Sequence, residues 1–197
     1  GDALGSCRGK PFGPRSPHDR AAAMNAIALI GLSGSGKSTV GPLLAERLGL
    51  PHLDVDLVLE QREGRTIREI FDTDGEPYFR ALEREITIEL LAAPGVLSLG
   101  GGAPMTRAIA DALDGHPVVW LRVEPESSAR RIGRDEGRPL LAGQDAVVRL
   151  RKMLSERAPT YARLASLAVD TDRASVDSVV DAIAAHVSSF EPGRCIG

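Results

Sequence analysis

From Ala26 onward the chain alternates short apolar runs with longer stretches in which apolar residues recur at a spacing near 3.6. The runs Ala26–Ile30, His52–Val55, Val96–Leu99, Val118–Val123 and Leu167–Val169 predict five strands. The stretches between them predict helices, for example around Leu43, Leu44, Arg47 and Leu48. Thr66-Ile67-Arg68-Glu69 reads as a capping box opening a short helix, and Pro94-Gly95 closes a long helix through Glu83 and Leu91. Apolar strands alternating with helices predict a parallel sheet covered on both faces. No internal repeat is visible.

Composition narrows the class. The chain has 197 residues, enough for one domain with a sizeable core. Its 43% hydrophobic and 26% charged residues exclude a fibre or a wholly disordered chain. A net charge of −3 provides no global attraction to nucleic acid or an acidic membrane. No apolar run reaches the ~18 residues that a spanning helix requires. Cys7 and Cys195 sit near opposite ends, so neither a disulfide framework nor a metal knuckle is expected, and a reduced cytosol is the default. The four histidines lack ligand spacing and read as surface or loop residues. Residues 1–24, rich in Pro and Gly, read as a disordered leader or an expression-derived extension; their composition suits a transit helix poorly. Residues 25–187 are expected to form the domain and 188–197 a flexible tail.

The chemistry begins where the first strand ends. Gly31-Leu32-Ser33-Gly34-Ser35-Gly36-Lys37-Ser38-Thr39 matches G-x-x-x-x-G-K-S/T between a predicted strand and a predicted helix. Glycines let backbone N–H groups converge on phosphate oxygens, and the helix N-terminus adds partial positive charge. Lys37 would reach the β- and γ-phosphates, and the Ser38 hydroxyl would sit on Mg²⁺. The loop alone leaves switches, motors, transporters and kinases open. A guanine-specific switch needs an N-K-x-D loop, and the single asparagine, Asn25, precedes the phosphate loop. Motors and transporters need more machinery than one small domain holds.

Other segments point to transfer chemistry. In Leu53-Asp54-Val55-Asp56, strand alternation would put both carboxylates on one face, overlooking the phosphate loop. One acid suits a water of the metal shell, and the other suits the proton of an attacking hydroxyl. Leu99-Gly100-Gly101-Gly102 would let a ligand approach the backbone closely. Arg80 and Arg157 could converge on one carboxylate, but taken singly each reads as a solvated helix arginine, and with 21 arginines composition does not single these two out. Arg134–Gly143 could be a lid supplying Arg138 to the transferred phosphoryl, or an ordinary surface loop.

Taken in order, these motifs resemble shikimate kinase, especially its bacterial members, from about Ala26 to Ala185. The resemblance rests on G-L-S-G-S-G-K-S-T-V-G, L-D-V-D, Glu60–Phe71, F-R-x-L-E at Phe79–Glu83, S-L-G-G-G at Ser98–Gly102, R-P-L-L at Arg138–Leu141 and E-R-A-P-x-Y at Glu156–Tyr161. It implies a three-layer α/β P-loop kinase fold with a five-stranded parallel sheet of order 2-3-1-4-5, helices on both faces and a lid. It implies ATP-dependent phosphorylation of the 3-hydroxyl of shikimate, on the route to chorismate and the aromatic amino acids. Position by position, Lys37, Asp56 and Arg138 would be catalytic. Gly34, Ser35, Gly36, Lys37, Ser38, Thr39, Arg131 and Arg138 would bind ATP, with Arg131 near the adenine. Asp56, Arg80, Gly100, Gly101, Gly102 and Arg157 would bind shikimate, Glu83 would support Arg80, and Phe71 and Phe79 would wall the ring. Ser38 would ligate Mg²⁺, with Asp54 acting through water. The adenine loop departs from close relatives at Ala174 and Val176, where Arg173 could compensate. The expected partners are ATP and shikimate, with no nucleic acid and no membrane, and a cytoplasmic monomer is expected. A gluconate-type kinase would share the phosphate loop but leaves the two acids, the glycine triplet and the paired arginines unexplained. A nucleoside-monophosphate kinase would need a base-reading pocket, and a silent nucleotide-binding regulator would turn nothing over.

Overall fold

The computed structural model describes residues 25–135 and 144–190. The expected leader, Arg138 with most of the candidate lid, and tail residues 191–197 lie outside the described residues. Every predicted strand forms: β1 (Ile27–Ile30), β2 (His52–Asp54), β3 (Val96–Ser98), β4 (Val118–Arg122) and β5 (Leu167–Asp170). Around them lie α1 (Lys37–Leu48), α2 (Val55–Glu63), α3 (Ile67–Thr73), α4 (Gly75–Leu91), α5 (Arg107–Ala112), α6 (Pro125–Asp135), α7 (Gln144–Leu164) and α8 (Val176–Ser188). A 3₁₀ turn, Ala103–Met105, precedes α5.

All strand pairings are parallel, in the order β2-β3-β1-β4-β5 expected from the resemblance. β1 is central, so its four residues are fully buried and all apolar. Alternation divides them between two layers. Ile27 and Leu29 join Val96, Val119 and Leu121 beneath α1 and α8, where Val40, Leu44, Val180 and Ile183 pack. Ala28 and Ile30 join Leu97, Leu99 and Val118 on the other face, against Leu59, Ile70, Phe79, Ile86, Ile109 and Tyr161. The order 2-3-1-4-5 places the ends of β2 and β3 on one flank of the phosphate loop that follows β1, and β4 on the other. The site is therefore set by topology at the carboxyl ends of the strands.

Local signals are realised where they are local. Thr66 accepts from the Glu69 N–H, while Glu69 reaches back to the Thr66 N–H at 2.7 Å, completing the capping box. Two expectations are corrected. β2 stops at Asp54, and Val55 opens a helix, so Asp54 and Asp56 do not alternate along a strand. Asp54 is instead the N-cap of α2, its Oδ1 accepting from the N–H groups of Asp56 (3.0 Å) and Leu57 (3.4 Å). Capping preference at the strand end overrides period-two alternation. Of the described histidines, His52 in β2 and His186 in α8 are half-buried and bonded to Ser98 and Ser166, contrary to a surface or loop reading, whereas His116 lies in the α5–β4 loop, bonded to the Ala26 carbonyl.

Leu43 and Leu44 are adjacent in α1, yet Leu43 is 40% exposed and Leu44 is fully buried. Leu44→Ala is expected to cost about 2–5 kcal/mol, and Leu43→Ala about 0.5 kcal/mol or less. Urea unfolding should show this as a lower midpoint at unchanged slope for the first variant alone. Equal losses would refute the assignment of the buried face.

Candidate active site

The phosphate loop leaves β1 through Gly31, whose φ of +148° is open to glycine only. A methyl group on Gly31 would also lie 2.6 Å from the Leu121 carbonyl oxygen of β4. Gly36, in the left-handed region, turns the chain into α1, so Lys37, Ser38 and Thr39 open that helix. Lys37 Nζ donates to the Gly31 (3.0 Å) and Leu32 (2.9 Å) carbonyls. Burial lowers the Lys37 ammonium to about 8, partly opposed by the carboxylates of Asp54 and Asp56. The far side of the loop is held by α6: Ser128 Oγ donates to the Ser33 carbonyl at 2.7 Å, and Arg131 donates to that of Gly34 at 3.2 Å. Arg131 also donates to the Thr171 carbonyl and pairs with Asp172, tying the loop to the β5–α8 connection. Fully buried Ser128 carries no motif, so sequence reading missed it.

Beyond β3, each glycine of the triplet faces a different functional side chain. A methyl group on Gly100 would lie 2.9 Å from Glu83 Oε1 and 3.0 Å from Asp56 Oδ1. On Gly101 it would meet Arg157 Nη1 at 3.0 Å, and on Gly102 both terminal nitrogens of Arg80 at 2.9 Å. The triplet is thus a side-chain-free floor on which α2, α4 and α7 lay two carboxylates and two guanidinium groups. Both arginines are therefore half-buried against the triplet rather than free on their helix surfaces.

Electrostatics within the cluster are uneven. Glu83 is fully buried and accepts from Arg80 Nη1 at 2.7 Å, while exposed Glu76 holds the outer edge of Arg80 at 3.2 Å. Burial raises the Glu83 carboxyl above its usual range, with Arg80 opposing. Burial also raises Asp56, assisted by the negative charge of Asp54. Asp56 Oδ1 and Glu83 Oε1 are buried and, among the described residues, accept no hydrogen bond. Such orphaned acceptors are costly unless a donor arrives, and a hydroxyl-bearing ligand would supply one. Among the described residues Arg157 has no carboxylate partner within ion-pair distance. Phe71 and Phe79, with ring centroids 4.7 Å apart, form an apolar wall beside Arg80.

The structure thus brings together Gly34, Ser35, Gly36, Lys37, Ser38 and Thr39 in the loop, and Asp56, Glu83, Arg80, Arg157 and Gly100–Gly102 beside it. Arg131 lies at the loop's outer edge. A phosphate-binding loop next to a small pocket carrying carboxylates and guanidinium groups defines a P-loop kinase of small anionic metabolites. The family described as Shikimate kinase matches residues 33–188. A shikimate kinase of Mycobacterium avium (strain 104) is 47% identical over 167 residues, covering 84% of this chain and 95% of that protein. Among solved structures, the shikimate kinase of Acinetobacter baumannii in complex with shikimate is similar at a TM-score of 0.78 and 34% identity, covering 86% of this chain and 96% of that one. That of Aquifex aeolicus is similar at a TM-score of 0.72 and 32% identity, covering 83% and 96%. The chain belongs to the shikimate kinase family.

Gly31→Ala is expected to cost about 1–3 kcal/mol, because the strained backbone and the Leu121 carbonyl cannot both give way. Nucleotide affinity should fall with it. A normal unfolding midpoint together with normal nucleotide binding would show that the loop does not need this conformation.

Proposed function

We propose that this chain transfers the γ-phosphoryl group of ATP to the 3-hydroxyl of shikimate, residues 25–187 forming the catalytic domain. One observation carries the reading: two orphaned carboxylate oxygens and a guanidinium that has no carboxylate partner among the described residues meet on the glycine triplet beside the phosphate loop. A ring bearing hydroxyls and one carboxylate is complementary to that set. Arg157 and Arg80 would take the carboxylate as charge-assisted donors. Asp56 would accept from the ring hydroxyls and orient the attacking one.

In this reading the hydroxyl oxygen attacks the γ-phosphorus as its proton passes to Asp56, and the bond from phosphorus to the bridging oxygen breaks, releasing ADP. A carboxylate whose proton affinity is raised by burial is a better acceptor than a solvated one. Lys37 would follow the charge on the β- and γ-oxygens as it develops, and the N–H groups from Gly34 to Thr39 would hold the phosphates. Arg131 would lie against the adenine, and Arg138 would contribute from outside the described residues.

The residues present fit a divalent cation. Ser38 is exposed in the first turn of α1, and Asp54 uses Oδ1 for both of its cap bonds, leaving Oδ2 for a metal-bound water. Hard oxygen donors of this kind, few in number, suit Mg²⁺ carried in with ATP. Bound there, Mg²⁺ would neutralise phosphate charge during transfer. ATP supply points to the cytoplasm, and no helix among the described residues is long and apolar enough to cross a membrane.

Shikimate-dependent release of ADP, followed by a coupled assay, tests the activity directly; its absence would leave only a nucleotide-binding protein. Lys37→Ala is expected to stay folded and lose transfer. Asp56→Asn should keep ATP affinity and lose roughly 10²–10⁴-fold in turnover. The corresponding Asp54→Asn change should instead raise the Mg²⁺ requirement, so identical Mg²⁺ titrations would refute that division of labour.

Arg80→Lys and Arg157→Lys should each weaken shikimate binding by ~1.5–3 kcal/mol, because an ammonium cannot replace the planar fork. The KM for ATP should stay near that of the parent. An unchanged KM for shikimate in both variants would remove these arginines from the site.

A further inference from the structure

Tyr161 is the last residue of the E-R-A-P-x-Y segment, and nothing in the site described above uses it. It is fully buried at the centre of the layer formed by α2, α4 and α7. One neighbour explains the ring: Trp120 of β4 packs on it with centroids 5.7 Å apart. Packing alone does not explain the hydroxyl, since phenylalanine would fill the same space without burying an oxygen. The hydroxyl donates to the Gly101 carbonyl at 2.5 Å. Gly101 is the glycine against which Arg157 lies, and a methyl group there would also sit 3.7 Å from the Tyr161 oxygen and 3.3 Å from the Gly31 carbonyl.

Two geometric facts give this bond a consequence. Arg157 and Tyr161 are four residues apart in α7 and therefore share a helix face. One turn of helix thus delivers both the guanidinium and the group that holds the backbone beneath it. In addition, the peptide between Gly101 and Gly102 is trans, so its N–H points opposite to the carbonyl that Tyr161 holds. Three consecutive glycines leave that peptide free to rotate, and no side chain of their own restrains it. The Tyr161 bond does.

We infer that Tyr161 is a positioning residue for the acceptor substrate: by holding the Gly101 carbonyl it sets the floor of the pocket and the seat of Arg157, and so the affinity for the substrate carboxylate. The inference rests on the shikimate-kinase reading. It assigns Tyr161 no contact with substrate and no part in proton transfer.

The test compares Tyr161→Phe with Trp120→Phe. Tyr161→Phe removes only the hydroxyl, and Trp120→Phe loosens the packing of the same ring. With Tyr161→Phe, the KM for shikimate should rise about 3–10-fold, as expected for one lost hydrogen bond, while kcat and the KM for ATP stay within about twofold. Trp120→Phe should lower the unfolding midpoint and leave the KM for shikimate unchanged. In an Arg157→Lys background, Tyr161→Phe should add less than about twofold, because the two losses act on one contact. A Tyr161→Phe enzyme with unchanged KM for shikimate overturns the inference. So does one whose KM values for ATP and shikimate rise together, or whose losses add in full to those of Arg157→Lys.

Should Tyr161→Phe fail to fold, the chain's two tyrosines offer a second route. In a Tyr78→Phe background, 3-fluorotyrosine labels Tyr161 alone. Its fluorine resonance should shift on addition of shikimate and stay in place with the neutral carboxamide analogue. A resonance indifferent to shikimate overturns the inference. The parent enzyme is assayed first: no shikimate-dependent ADP release removes the kinase reading and this inference with it, whereas a working parent with an indifferent variant removes only the role of Tyr161.

Discussion

The burial of Glu83 against Arg80 is the interaction on which the proposed acceptor pocket depends. A carboxylate taken wholly out of water is tolerated only with a close cation, and Arg80 supplies one at 2.7 Å. That pairing fixes the guanidinium over Gly102, and it directs the second Glu83 oxygen at Gly100 beside Asp56. A Cβ at any of the three glycines would enter this charged cluster. The absence of side chains on the β3 end is thus a condition for four charged groups to share one small volume.

The same economy of space links the pocket to the phosphate loop. Gly31 passes so close to β4 that only a glycine fits, and its carbonyl receives Lys37 and borders the Gly101 site. Lys37 and Arg157 repel each other across this gap, while Asp54 and Asp56 offset the repulsion. Charges of both signs held this close in a poorly solvated pocket are poised for an anionic ligand with hydroxyls, whose arrival would satisfy acceptors the protein leaves open. In the proposed function, the pocket would bind and orient because its own bonding is incomplete.

Rigidity comes from the layers around it. β1 is buried on both sides, α1 and α8 cover one face, and α2, α4 and α7 cover the other. Three helices on the second face supply the candidate functional groups: Asp56 from α2, Arg80 and Glu83 from α4, and Arg157 from α7. Because these helices are packed through Leu59, Phe79 and Tyr161 into one core, the functional groups hold their mutual distances without direct bonds between all of them.

Features that depend on neighbours in sequence were legible without coordinates. The phosphate loop, the five strands, the capping box at Thr66 and the helix closed by Pro94-Gly95 are each written in a few consecutive residues, and the ordered motifs carried the family and its sheet order. Local reading failed where two local rules competed, as at Asp54, where capping of α2 displaced strand alternation. It was silent where partners are distant: Ser128 on the Ser33 carbonyl, and Tyr161 on that of Gly101. Nothing in the arginines themselves set Arg80 and Arg157 apart from the other arginines of the chain; resemblance named them, and only the fold brought both to adjacent glycines. The physical reason is the range of the forces involved. Backbone hydrogen bonds and caps act over one helical turn and can be read from spacing, whereas the meeting of α2, α4 and α7 over β3 follows from which strand lies beside which, a choice made by the packed core as a whole.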